Sequence, residues 1–185
     1  MTGPAGPGPG SGPGSGLGSG PVAVLIGPPG AGKTSVGPLL AERLGTSFRE
    51  TDADISAAAG QPVSDIFIEQ GEPAFRQLER EASARALREH GGVLALGSGA
   101  VLDPDIQQRL GGLPVIYLAA DFATVARRMG LDRPRVVIPG NPRGRLRAML
   151  EERRPLYEQL ATVTVETDDL DPDELAAEIS ARLKQ

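Results

Sequence analysis

Two periods alternate along this chain. Residues 22–26, Val-Ala-Val-Leu-Ile, form an unbroken apolar run of the kind a strand shows when both its faces are covered. Val36, Leu39, Leu40 and Leu44 then recur at helical spacing until Gly45 supplies a stop. Short strands are expected again at 47–50, 93–96, 115–118 and 163–165. Between and after them, helical periodicity predicts helices over 63–70, 73–89, 104–110, 122–129, 143–160 and 172–183, the last begun by Asp171, Pro172 and Glu174. Strands alternating with helices predict an α/β fold, a three-layer sandwich around a parallel sheet.

Composition separates the two ends of the chain. Residues 1–20 are nearly all Gly, Pro and Ser, cannot bury a core, and read as a disordered tail ahead of one domain over 21–185. The tail lacks the basic start and apolar segment of a secretory signal. No run approaches the roughly 20 apolar residues that span a bilayer, so a soluble protein with no membrane partner is expected. Cysteine is absent, which excludes disulfides and thiolate metal sites and leaves the cytoplasm as the default location. A net charge of −5, with four Phe, two Tyr and no Trp, argues against nucleic acid as a partner.

Of 19 basic residues only two are lysines, and one of them, Lys33, sits inside the run Gly27-Pro-Pro-Gly-Ala-Gly-Lys33-Thr34. That spacing is a phosphate-binding loop. Its backbone N–H groups converge on phosphate oxygens, Lys33 reaches the β- and γ-phosphates, and the Thr34 hydroxyl can ligate magnesium. The preceding strand and following helix are the context such a loop requires. Gly30, Ala31, Gly32, Lys33, Thr34 and Ser35 are therefore expected to bind the phosphates of a nucleotide, with Lys33 reaching toward the terminal one.

Three further clusters bear on the acceptor. Thr51-Asp52-Ala53-Asp54 follows a strand, where open α/β sheets bind ligands. Asp52 can hold magnesium and Asp54 can orient a hydroxyl and take its proton, although either can instead cap the next helix. In Gly71-Glu72-Pro73-Ala74-Phe75-Arg76-Gln77-Leu78-Glu79, Arg76 and Glu79 share a helix face. Arg76 can grip an anion while Glu79 holds it, or the two can be a surface ion pair. Gly97-Ser98-Gly99 is either a backbone ligand site or an ordinary turn. Residues 130–144, with Gly and Pro at both ends and arginines inside, read as a lid over anions or as a plain surface loop. His90, beside Gly91 and Gly92, reads as a helix-end cap with no chemistry.

Together these clusters resemble the shikimate kinases of the nucleoside-monophosphate-kinase-like group, over about 22–182. The resemblance also rests on Glu152-Arg153-Arg154-Pro155-Leu156-Tyr157. It implies a five-stranded parallel sheet with a mobile lid, and magnesium- and ATP-dependent phosphorylation of the 3-hydroxyl of shikimate in aromatic amino-acid biosynthesis, by a monomer. It assigns Asp54, Arg76, Arg153 and the turn at 97–99 to shikimate; the metal is expected at Thr34 and Asp52, and Arg128, before the lid, is available to lie against the adenine. A lid arginine completes the catalytic set with Lys33 and Asp54. Matching the Arg-Pro dipeptide selects Arg133, whereas preserving loop length selects Arg135, the choice preferred here.

Three departures from the family pattern stand out. The lid carries Arg133-Pro-Arg135-Val-Val-Ile. Leu170 replaces an arginine that some members place beside adenine. Ser98 replaces the central glycine of the turn, which would strain the turn by about 1 kcal/mol if φ > 0 is required, crowd the acceptor, or bind it. Two other readings compete: a related kinase acting on gluconate or a nucleotide, and a non-catalytic nucleotide-binding relative.

Overall fold

In the computed structural model, residues 20–132, 140–168 and 171–184 are described. The tail at 1–19, the lid arginines Arg133 and Arg135, and Leu170 lie outside the described residues.

The elements run β1 (Ala23–Ile26), α1 (Lys33–Arg43), β2 (Phe48–Glu50), α2 (Thr51–Ala59), α3 (Val63–Glu89), β3 (Val93–Ala95), a 3₁₀ turn (Ala100–Leu102), α4 (Pro104–Leu110), β4 (Val115–Ala119), α5 (Phe122–Arg128), α6 (Pro142–Leu160), β5 (Val163–Glu166) and α7 (Pro172–Leu183). The five strands form one parallel sheet in the order β2-β3-β1-β4-β5. Parallel strands need helical crossovers, and these cover both faces. Along β1, Ala23 and Leu25 face a core shared with Val36 and Leu40 of α1 and Leu175 and Ile179 of α7. Val24 and Ile26 face the opposite core, with Ala86 of α3, Ile106 of α4 and Tyr157 of α6. No helix among the described residues is long and apolar enough to cross a membrane.

Two local departures from the expected elements matter. Residues 51–59 are helical, a helix the apolar pattern does not announce because only Thr51 and Ile55 in it are buried. The expected break between 70 and 73 is present within α3 at Gly71, whose φ of 82° and ψ of 169° suit glycine alone. His90 does end α3, its ring Nε2 lying 3.0 Å from the Val93 carbonyl oxygen. At α7 the Asp171 side chain accepts from Glu174 N at 2.9 Å while Glu174 returns a bond to Asp171 N, a complete capping box.

Strand register brings three chain segments to one edge. Leu25 and Glu50 both pair with Ala95, so β1, β2 and β3 end level. From those ends emerge the 27–32 loop, the 50–52 junction and the 97–99 turn. An open α/β sheet binds ligands at this edge.

The β2–β3 contact that carries this register leaves no room at Gly92, where a Cβ would overlap the Ser47 carbonyl oxygen and lie 2.8 Å from Thr46 Oγ1. Gly92→Ala should therefore destabilise the fold by about 1–3 kcal/mol, as overpacking does. Urea unfolding measures this, and an unchanged midpoint contradicts it.

Candidate active site

The 27–32 loop hands β1 to α1 through Gly32, the N-cap, at φ 103° and ψ 13°. No side chain caps the first turn of α1, so the positive end of that helix is presented to an anion. Lys33 is buried, its Nζ donating to the carbonyl oxygens of Gly27 at 2.8 Å and Pro28 at 3.0 Å. Burial lowers its pKa to about 8, against the pull of Asp52, Glu50 and Glu79. The lysine is thus folded back on its own loop.

A cleft of about 610 Å³ runs over this loop. Gly30, Ala31, Gly32, Lys33, Thr34 and Ser35 line its floor, Glu50, Asp52 and Ser98 one end, and Arg128, Pro172 and Leu175 the other. The volume suits a small-molecule ligand. Arg128 is fixed there by donating to the carbonyl oxygens of Gly30 (3.0 Å), Ala31 (3.3 Å) and Thr167 (2.7 Å) and to Thr167 Oγ1 (3.2 Å). Its planar guanidinium thereby becomes part of the cleft wall, beside apolar Pro172 and Leu175, a surface suited to a flat ring.

The acidic end departs from the sequence assignment by two residues. Asp54 lines neither this cleft nor the second cavity described below, and its Oδ2 accepts from Arg49 Nε at 2.7 Å. Arg49 Nη1 also reaches Glu89 at 3.2 Å. The reason is helical: α2 begins at Thr51, so residues 52 and 54 leave the axis roughly 200° apart and cannot share one ligand. Asp52 faces the cleft and Asp54 does not.

Glu50, at the end of β2, takes the partner place. Its Oε1 accepts from the Thr34 hydroxyl at 2.7 Å. Sequence reasoning passed over it, although Glu50-Thr51-Asp52 has the same acid-x-acid spacing as 52–54. Thr51, fully buried, accepts from Gly97 N at 2.9 Å and ties this junction to the glycine turn. Asp52 Oδ1 is buried without a hydrogen-bond partner. Burial pushes the Asp52 carboxyl up to about 6, Glu79 adds to the rise, and Lys33 opposes it.

At the turn, Gly97 N is spent on Thr51 and Gly99 N on Glu79 Oε1 at 3.1 Å, so neither amide is free for a ligand as expected. The glycines are required for space. A Cβ at Gly97 would overlap Glu79 Oε1 and lie 2.7 Å from Asp52 Oδ1, and one at Gly99 would overlap Arg76 Nη1. Ser98 is not at positive φ, so the expected strain is absent. Its carbonyl oxygen accepts from Tyr157 Oη at 2.6 Å and its hydroxyl from Arg153 Nη1 at 3.3 Å.

Arg76 pairs with buried Glu79 through Nη1 and with Glu72 through Nε at 3.3 Å. With Glu72, Glu79, Arg80, Gly99 and Asp103 it lines a second cavity of about 460 Å³. Arg153 is buried, lines neither cavity, and leaves its Nε without a partner. Arg76 and Arg153 flank the same turn, through Gly99 and Ser98. The arrangement offers a loop built to take phosphate, a half-buried carboxylate at Asp52, and two arginines against the 97–99 turn.

Comparison with known proteins agrees with this chemistry. Residues 29–184 match the family model described as shikimate kinase. A shikimate kinase of Thermobifida fusca (strain YX) is 56% identical over 162 residues, covering 88% of this chain and 94% of its own. One of Streptomyces coelicolor (strain ATCC BAA-471 / A3(2) / M145) is 50% identical over 155 residues, covering 84% and 91%. Among solved structures, a shikimate kinase from Acinetobacter baumannii in complex with shikimate superposes with a TM-score of 0.80 at 33% identity, covering 89% of this chain and 93% of that one. The chain belongs to the shikimate kinase family.

Proposed function

We propose that this protein transfers the γ-phosphoryl group of ATP to the 3-hydroxyl of shikimate, giving shikimate 3-phosphate and ADP, a step of chorismate and aromatic amino-acid biosynthesis. The observation that carries this reading is one continuous cleft in which Lys33 and Thr34 lie beside Asp52, a half-buried carboxylate whose Oδ1 has no hydrogen-bond partner. The acceptor oxygen forms a bond to the γ-phosphorus, the bond from phosphorus to the bridging oxygen breaks, and ADP leaves with that electron pair. The hydroxyl proton passes to Asp52, whose raised pKa brings it closer to the working pH of a base than an exposed aspartate. Lys33, released from its loop carbonyls onto the β- and γ-phosphates, spreads the charge that develops. Arg76 and Arg153 hold the carboxylate of shikimate. Arg128 takes the adenine, and Arg135 enters this reading through the family resemblance alone.

Magnesium fits the donor set. Thr34 and Glu50 already bring a hydroxyl and a carboxylate within hydrogen-bond distance, and both are hard oxygen donors. Among the described residues no cluster of three acidic, His or Cys groups forms a cage. That agrees with an ion held by one or two protein oxygens together with phosphates. We place it at Thr34 and Glu50 rather than at Asp52, where it would neutralise phosphate charge. The need for ATP makes the cytoplasm the fitting compartment.

Turnover should depend on shikimate, measured as coupled ADP release; ADP release that ignores shikimate, or that requires another acceptor, rejects the assignment. Asp52→Asn should lower kcat by about 10²- to 10⁴-fold, the range of a lost general base, whereas Asp54→Asn should change it by less than about tenfold. The reverse order would restore the 52–54 assignment. With Asp52 needed ionised and Lys33 needed protonated, kcat/KM should fall below a pH of about 6 and above about 8. A profile that is flat across both limits contradicts these roles.

A further inference from the structure

Ser98 is gripped from one helix at two points. Tyr157 and Arg153, four residues apart, share a face of α6, and both reach the same residue of the turn. Tyr157 holds the Ser98 carbonyl oxygen at 2.6 Å and is itself stacked on Tyr117, with ring centroids 5.1 Å apart. On either side, Gly97 and Gly99 are wedged against Asp52, Glu79 and Arg76 with no room for a Cβ, so the turn has little freedom to shift. Ser98 thus carries the only side chain of an immobilised turn. Its hydroxyl accepts from Arg153 Nη1.

Arg153 is 6% exposed and its Nε has no partner. A guanidinium has five N–H donors in a fixed fork, so a bond to one donor orients the others. Leaving a buried donor unpaired is costly unless a ligand completes it. With glycine at position 98 this acceptor would be missing and the fork would have one restraint fewer.

We propose that Ser98 is a positioning and specificity residue: its hydroxyl takes one N–H of Arg153 and so holds the remaining donors ready for the carboxylate of the acceptor. This rests on the function proposed above. Ser98 then acts through Arg153 rather than by bonding the acceptor. Its effect belongs to acidic acceptors and is absent for neutral ones.

The test compares shikimate with its analogue in which the carboxylate is reduced to a primary alcohol. The readout is the ratio of kcat/KM for acid over alcohol in the full chain. Ser98→Ala should lower that ratio about fivefold, the worth of one ordinary hydrogen bond, through a raised KM for shikimate. Ser98→Thr, which keeps the hydroxyl, should retain the ratio, and this separates a lost bond from a disturbed turn. In an Arg153→Ala background the Ser98→Ala change should have no further effect on the ratio. A ratio unmoved by Ser98→Ala, a fall in Ser98→Thr as large as in Ser98→Ala, or additive effects of the two alanine changes would each overturn the inference. Absence of shikimate turnover in the unmodified protein overturns the functional reading as well, and the two failures are told apart by that control.

Discussion

The acceptor side of this molecule hangs on one buried carboxylate. Glu79 is 2% exposed, and a charge in that position must be answered by a cation and hydrogen bonds. Arg76 and the Gly99 amide supply both. Because the answer comes from the next turn of α3 and from the 97–99 turn together, Glu79 fixes helix and turn to each other. It also explains why two glycines are needed where neither has a positive φ: the space their side chains would fill is already taken by Glu79, Arg76 and Asp52. Its charge extends further, raising the Asp52 pKa and helping to keep a proton on Lys33.

The two groups proposed to do the chemistry oppose folding at neutral pH. Asp52 has a folded pKa above its ordinary 3.8, so the folded chain binds that proton more tightly than the unfolded chain. Its contribution to stability is greatest below the ordinary value and is lost as pH rises through about 6. Lys33 has a folded pKa below its ordinary 10.5, so its burial penalises the fold below about 8, and the penalty fades as pH climbs toward 10.5. Each is partly relieved by the other's charge. Elsewhere the fold is conventional, with a sheet whose residues alternate between two apolar layers. The cost of burying those charges at the binding edge is offset by that core.

Much of this was legible in the sequence, for reasons that can be named. Buried strands such as 115–118 read directly as apolar runs, and Pro104 and Pro172 mark helix starts that the structure reproduces. The phosphate loop was legible because its chemistry is local, with the lysine, the hydroxyl and the glycines contiguous. The acidic pair was not. Asp-x-Asp at 52–54 and Glu-x-Asp at 50–52 are equivalent as spacing, and only the end of β2 at Glu50 and the start of α2 at Thr51 decide which oxygens face the cleft. α2 itself is short and mostly exposed, so it leaves little apolar trace. The occupied amides of Gly97 and Gly99 were also beyond reach, since Thr51 and Glu79 are 46 and 20 residues away in sequence.

The claim that Glu79 organises the acceptor half is tested most directly by Glu79→Gln, which keeps the shape and removes the charge. The kcat/KM profile for shikimate should have its alkaline limb moved to lower pH, because Lys33 loses one of the charges that help it keep its proton. Its acid limb should move below a pH of about 6, because the neighbouring negative charge that raises Asp52 is gone. The KM for shikimate should rise as Arg76 loses its anchor. An acid limb that stays in place with an unchanged KM would contradict the account, and would leave Glu79 as no more than a buried partner for Arg76.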